Sequence, residues 1–314
     1  MLNIAIVGTG IIGNSHISAM QELDSCRLCA LCDVNEAVVS ELAAEHNVPY
    51  FLDYKDIPDS VDVDAVILNL PHFLHCEASV FFLEHGIHVL VEKPMANTVE
   101  ECDRMIEASK KSGKKLAVGH VQRYFAPMRF VKDVYESGRL GKLCMFTEIR
   151  TINYFAENRP KWFLSKEKAG GGIVMNYGAH ALDKLFTILG AQDVEILSSV
   201  GNIKNDADIE GHAQIVAKLS NGVSAAITFS GYSTSIYDTC FFFENGMVKL
   251  NGGCATVYDV NGQMTQADLS QYGGFHFAYQ LEEFCKYVCG EESIVTDGHY
   301  GRAVIKAIEK IYAC

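Results

Sequence analysis

The chain has 314 residues, with 26 Lys plus Arg against 39 Asp plus Glu and a formal net charge of −13. An apolar fraction of 49% excludes disorder and fills two cores, and 6 Pro exclude a collagen-like or linker chain. The acidic balance argues against a nucleic-acid partner, and the longest uncharged stretch, 219–237, is broken by Ser, Asn, Gly and Thr and suits strands rather than a membrane span.

Residues 2–7 form an apolar run interrupted only by Asn3, which predicts a strand buried on both faces. The Gly8–Gly13 segment and a helix through Met20 follow. A strand is expected at 27–32, a helix at 38–46, a short strand at 50–51 and a buried strand at 64–70 stopped by Pro71. A helix at 75–85 closes at Gly86, and 88–91 is the next strand. Residues 98–112 carry Glu100 and Glu101 first and Lys110 and Lys111 last, matching a helix dipole; 115–119 is a further strand. This alternation predicts βαβ units on a parallel sheet.

After Gln122 the pattern changes. Helices are expected at 127–137 and 173–189 and strands at 142–152, 195–200, 212–218, 224–230, 240–244 and 247–251. Helices at 277–289 and 299–313 close the chain. Asn-Gly pairs at 221, 245, 251 and 261 predict hairpin turns. All six prolines lie at or before residue 160, which fits a later sheet whose central strands tolerate none. The reading is an α/β domain over 1–122 and an α+β domain over 123–314.

Gly8-Thr9-Gly10-Ile11-Ile12-Gly13 is a G-x-G-x-x-G sequence between strand and helix. Gly8 permits a tight turn, Gly10 lets a pyrophosphate approach the backbone, and Gly13 lets helix and strand pack closely. The helix N-terminus, at Ile11 and Ile12, then binds the anion. Asp33 ends the next strand, 20 residues after Gly13, where a carboxylate accepts from ribose hydroxyls and repels a 2′-phosphate. NAD is therefore expected over NADP.

Cys26, Cys29 and Cys32 mimic iron–sulfur spacing. Strand alternation puts Cys26 and Cys32 on one face and Cys29 on the other, so the eleven cysteines read as reduced packing residues of a cytoplasmic protein. His72, His75, His85 and His88 have no partner at zinc spacing apart from Cys76, so no metal is expected; His75 is read as packing near the cofactor. Gly170 to Gly172 lacks the Lys-Ser/Thr of a phosphate loop and reads as a flexible hinge. Trp162, the only tryptophan, reads as core at least as readily as a site residue, and Tyr154, Tyr232, Tyr272 and His276 are aromatic candidates for a wall of the ligand site.

Glu92-Lys93-Pro94, with the preceding residues 84–91, resembles the signature segment of the Gfo/Idh/MocA oxidoreductases, the glucose–fructose oxidoreductase and inositol dehydrogenase family. The resemblance runs nearly end to end. It takes in Gly8 to Gly13, Asn69-Leu70-Pro71 with His75, the 123–127 segment, Gly170 to Gly172 leading to Gly178-x-His180-x-x-Asp183, and Asp297-Gly298 with Gly301-Arg302.

It implies a Rossmann domain joined to a domain with a large, open, mostly antiparallel sheet, and a Lys-Pro peptide that is often cis. It also implies hydride transfer between NAD(P) and a hydroxyl or carbonyl carbon of a sugar, cyclitol or related polyol. Cofactor contacts are then expected from Gly8, Gly10, Ile11, Ile12, Gly13, Asp33, Asn69, Pro71, His75, Glu92 and Lys93, and substrate contacts from Arg123, Tyr154, Asn176, His180 and Asp183. Carried over, Lys93 bonds the reacting oxygen and His180 moves the proton, roles that an ammonium and a near-neutral imidazole can fill. A homodimer or homotetramer built on the open sheet is implied too, and 225–229 and 241–243 read as apolar on both parities.

One position departs from the family pattern. Asp usually stands four residues before the histidine, and here it is Asn176. Asn176 and His180 share a helix face at i and i+4, but an amide carries neither proton nor charge. Two alternatives therefore stand beside the oxidoreductase: a regulatory protein that binds NAD and ligand without turnover, and an NAD-assisted glycoside-cleaving enzyme.

Overall fold

In the computed structural model, which describes residues 1–203 and 207–314, the first apolar run forms β1 (Leu2–Val7), with Ile4, Ala5 and Ile6 wholly buried. Helices α1 (Ile11–Met20), α2 (Glu36–His46), α3 (Ile57–Ser60), α4 (His72–Glu84) and α5 (Val99–Ser112) alternate with β2 (Cys26–Cys32), β3 (Tyr50–Phe51), β4 (Ala65–Leu68), β5 (His88–Glu92) and β6 (Leu116–Gly119). The strands pair in parallel in the order β3-β2-β1-β4-β5-β6. Strand order reverses between β1 and β4, and the crevice outside their C-terminal ends is where such sheets bind dinucleotides. The ends of α5 follow from its sequence: the Thr98 side chain accepts from the Glu101 N–H, and Gly113 closes the helix in the left-handed region.

His88, at the start of β5, accepts the Lys115 N–H on Nδ1 at 2.9 Å. Burial first, then the charges of Lys114 and Lys115, pull its pKa down from 6.5 to about 4. The unfolded chain therefore binds a proton that the folded one refuses, and stability falls as pH drops from about 6.5 to about 4. His88→Gln should flatten that limb of the stability–pH curve, measured by denaturant unfolding across the same window.

The second sheet is introduced by α6 (Ala126–Glu136) and β7 (Leu143–Asn153). After α7 (Lys166–Ala169), the expected single helix over 173–189 is instead a π-turn, Val174–Gly178, running into α8 (Ala179–Leu189). Strands β8 (Val194–Ile203), β9 (Glu210–Leu219), β10 (Ser224–Ser230), β11 (Tyr232–Phe243), β12 (Gly246–Asn251), β13 (Cys254–Asp259) and β14 (Met264–Gln266) follow. The sheet runs β14-β13-β12-β11-β7-β10-β9-β8 and is antiparallel except where β10 lies beside β7.

Each Asn-Gly pair turns an antiparallel hairpin: 221 joins β9 to β10, 245 joins β11 to β12, 251 joins β12 to β13 and 261 joins β13 to β14. β11 starts eight residues before the strand expected at 240, and β13 and β14 extend the sheet beyond the expected strands. The apolar pattern of β10 holds on one parity only. Ala225, Ile227 and Phe229 are buried, while Ser224, Thr228 and Ser230 are half-buried and Ala226 is exposed.

Helices α9 (His276–Cys289) and α10 (Gly298–Ala313) end the chain. The contacts divide it into Met1–Val121 with Gly274–Arg302, and Gln122–Gly273 with Ala303–Cys314. The expected boundary after residue 122 thus marks only the first crossing. The chain returns to the first unit because Phe277, Leu281 and Phe284 of α9 bury against Ile17, Ala19 and Met20 of α1.

Cys26, Cys29 and Cys32 do not alternate as a regular strand predicts. Along β1–β2, Leu28 pairs with Ile4 and Ala30 with Ala5, so Cys29 is the extra residue of a bulge, which inverts the parity beyond it. Cys26 joins the α1–α9 core with Leu31, whereas Cys32 sits among Asp33, Asp53 and Asp56. Cys26 and Cys32 therefore lie on opposite faces. Burial pushes the Cys29 and Cys32 thiols up to about 12, which keeps them protonated.

Candidate active site

The glycine turn is sterically determined. Gly8 has φ +90°, and a Cβ there would lie 2.4 Å from the Asn69 carbonyl oxygen; a Cβ on Gly13 would lie 2.2 Å from that of Gly8. Around Gly10 the space is open to 4 Å. No side chain caps α1, so its first N–H groups, at exposed Ile11 and Ile12, are left for an anion. Asp33 is fixed by its neighbours: Oδ2 accepts from Thr9 N at 2.8 Å and Thr9 Oγ1 at 3.0 Å, and Oδ1 from Asn35 N at 3.0 Å. An uncapped helix, an open glycine and an oriented carboxylate are the parts that a dinucleotide needs.

Asn69 donates Nδ2–H to the Gly8 carbonyl at 3.4 Å, and its buried Oδ1 has no protein donor, which keeps it a candidate for cofactor contact. Pro71 is the residue before α4. His75 is wholly enclosed, with Nδ1 2.9 Å from Pro94 O and Nε2 2.8 Å from Leu70 O. Burial lowers its pKa against the pull of these carbonyls. It ties the loop after β5 to the end of β4.

Glu92 is likewise a brace: Oε1 accepts from His16 Nε2 of α1 at 3.1 Å and Oε2 from Lys93 N at 3.3 Å. Half-buried Lys93 follows, joined to Pro94 by a cis peptide as the resemblance implies.

In the second unit Arg123 is buried in a 3-10 turn, Asn176 lies in the π-turn, and His180 and Asp183 lie in α8, all buried. The Tyr177 and His180 rings are 6.4 Å apart. Tyr154 does not line a wall. It is wholly buried, donates its hydroxyl to Gly172 O at 3.4 Å and carries Arg159 over its ring at 4.0 Å; burial raises its pKa.

Tyr232 stacks on Phe155 at 5.4 Å, and Tyr272 donates to Asp133 Oδ2 at 2.6 Å. His276 stands at the start of α9, half-buried, and burial lowers its pKa. Trp162 is not core; it is half-buried and stacked on Phe163 at 3.7 Å.

The triple glycine serves close packing rather than hinge motion. A Cβ on Gly171 would meet Tyr312 Oη at 2.0 Å, and one on Gly172 the Glu210 carbonyl at 2.2 Å. The Glu210 carboxylate accepts from Gly172 N at 2.9 Å, Val174 N at 2.8 Å and Tyr312 Oη at 2.8 Å. It thereby caps the start of the π-turn from another strand.

The second unit also buries charges, at Glu148, Arg150 and Lys184, that were not expected from the sequence. Lys184 donates to Glu148 Oε2 at 2.8 Å, and Arg150 is stacked between the rings of Tyr177 at 4.0 Å and Tyr237 at 4.5 Å. The signal present was Lys184, four residues after His180 and beside Asp183, in a helix whose remaining residues are apolar but for Thr187.

Two family models match this chain: the oxidoreductase family with an NAD-binding Rossmann fold over residues 2–120, and the GFO/IDH/MocA C-terminal domain over residues 128–249. The chain belongs to the GFO/IDH/MocA oxidoreductase family. Its GFO/IDH/MocA relatives include a 1-carboxy-3-chloro-3,4-dihydroxycyclohexa-1,5-diene dehydrogenase of Comamonas testosteroni, 33% identical over 58% of this chain and 45% of that protein. An inositol 2-dehydrogenase of Salmonella paratyphi B is 31% identical over 51% of this chain and 48% of that one.

The chain spans about half the length of the curated relatives it matches. Among solved GFO/IDH/MocA folds, the aldose-aldose oxidoreductase of Caulobacter crescentus superposes with a TM-score of 0.91 at 23% identity, covering 99% of this chain and 96% of the other.

Proposed function

We propose that this GFO/IDH/MocA member is an NAD-dependent oxidoreductase acting at a hydroxyl or carbonyl carbon of a sugar, cyclitol or related polyol. The observation that carries the reading is the uncapped N-terminus of α1 under open Gly10, beside the fixed Asp33. NAD, when bound, supplies the hydride acceptor. Lys93 steadies charge growing on the substrate oxygen, His180 moves the proton, and Asn176, Arg123 and Asp183 orient the substrate.

Asp33 sets the preference for NAD over NADP. Asp33→Ala should weaken NAD by about one to two orders of magnitude in Kd, the worth of a charged hydrogen bond, and weaken NADP far less, as read by calorimetric titration. The activity itself is tested by reduced-nicotinamide absorbance over a panel of polyols and sugars. Sustained turnover supports the oxidoreductase. Tight NAD binding without turnover on any substrate favours a ligand-binding regulator, the reading that Asn176 motivates.

No helix among the described residues is long and apolar enough to cross a membrane. A second copy of this chain is the proposed partner, seated on the sheet strands where Ile149, Val216 and Ile236 stand exposed. Sedimentation of the purified protein tests it.

A further inference from the structure

A cavity of about 310 Å³ lies within the second unit, lined by Arg150, Lys184, Tyr237, Thr239 and Leu250 and by residues at the start of α6. Its charges do not cancel. Lys184 donates to Glu148 Oε2 at 2.8 Å and to Thr239 Oγ1 at 3.2 Å, so that pair is neutral. Arg150 remains. It is only 6% exposed, its Nε and Nη1 have no acceptor, and no carboxylate among the described residues pairs with it.

The two tyrosine faces favour a cation and fix the guanidinium plane, but they accept none of its N–H donors. A buried guanidinium with two nitrogens lacking acceptors is costly, and in a ligand-sized cavity its planar donor set is complementary to a carboxylate. The cavity also adjoins the proposed proton carrier, since Lys184 follows His180 by one turn of α8 and Tyr177 packs against both Arg150 and His180.

We propose that Arg150 binds a carboxylate of the substrate, which is a sugar or cyclitol acid of single-ring size; the substrate assignment rests on the oxidoreductase reading above. One surplus positive charge matches one monoanion. The cavity is at the small end of ligand pockets, about 300–1,000 Å³, which suits a single ring.

Calorimetry on the full chain with saturating NADH tests the subsite, using D-glucuronate, D-galacturonate, D-glucose and glucose 6-phosphate as probes. At least one uronate should bind about tenfold or more tighter than D-glucose. Arg150→Met should weaken it roughly 100-fold, and Arg150→Lys should restore part of the loss. The denaturant midpoint and far-ultraviolet circular dichroism of each variant should match the wild type and so report an intact fold. Equal binding of uronates and glucose, no binding of either uronate, or an undiminished preference in Arg150→Met overturns the inference. Glucose 6-phosphate binding at or above the uronates overturns the carboxylate assignment.

The same protein assayed for NAD reduction separates the two levels. Turnover of neutral sugars without a uronate preference ends the acid subsite and keeps the oxidoreductase. A uronate preference in binding without turnover of any substrate does the reverse.

Discussion

Lys93→Ala should lower kcat by about 10²–10³-fold, the usual loss when one donor to a developing oxyanion is removed. The affinity for NAD should change comparatively little, because the glycine turn, the α1 N-terminus and Asp33 remain. Reduced-nicotinamide absorbance on the best polyol or sugar substrate gives kcat, and titration gives the cofactor Kd. A variant that keeps kcat within about tenfold of wild type would remove Lys93 from the chemistry. The position is held by its surroundings. Glu92 accepts the Lys93 N–H and the His16 Nε2–H, and His75 lies against the Pro94 carbonyl. His75→Phe should therefore also lower kcat, through a misplaced Lys93, with a smaller effect.

The second large effect concerns stability. Glu148 and Lys184 form an ion pair with 1% and 10% side-chain exposure. Glu148→Leu strands the Lys184 ammonium in a buried place and should cost about 3–5 kcal/mol of unfolding free energy. Replacing both, as Glu148→Leu with Lys184→Met, removes the desolvation cost along with the attraction and should recover most of that loss. Denaturant unfolding of the wild type, both single variants and the double variant closes the cycle. A Glu148→Leu protein within about 1 kcal/mol of wild type would mean that solvent already screens the pair.

How far the fold could be read in advance depended on whether the deciding contact was local. The turn after β1 was legible because Gly8 itself must adopt a positive φ, and all four Asn-Gly hairpins were legible because such turns are set by two adjacent residues. Features set by distant partners were not. Glu210 caps a turn whose N–H groups belong to Gly172 and Val174, and nothing near Glu210 in sequence announces it.

The bulge at Cys29 inverted a parity argument that was sound for a regular strand. The first half of β11, with Ser233, Thr234 and Ser235, offers no apolar alternation to detect. In the candidate site the same division holds. The cofactor turn and Lys93 stand on contiguous motifs, whereas Arg150 was hidden because charged residues on a strand read as solvent-facing until the opposite face, with Thr147 and Ile149, is seen to be the outer one.

The π-turn ahead of α8 has a consequence for how this site can vary. Its wider turn holds one residue more than an α-helical turn would. Loss of a single residue within 174–178 would let the turn close as ordinary α-helix. α8 and His180 would stay seated, while the residues before them rotated by about 100°. Glu210 anchors one end of this stretch and the buried length of α8 the other, so the change of phase is confined to the few residues between. The neighbour offered to His180 can then be exchanged by a step in register, with no side chain substituted and no core repacked.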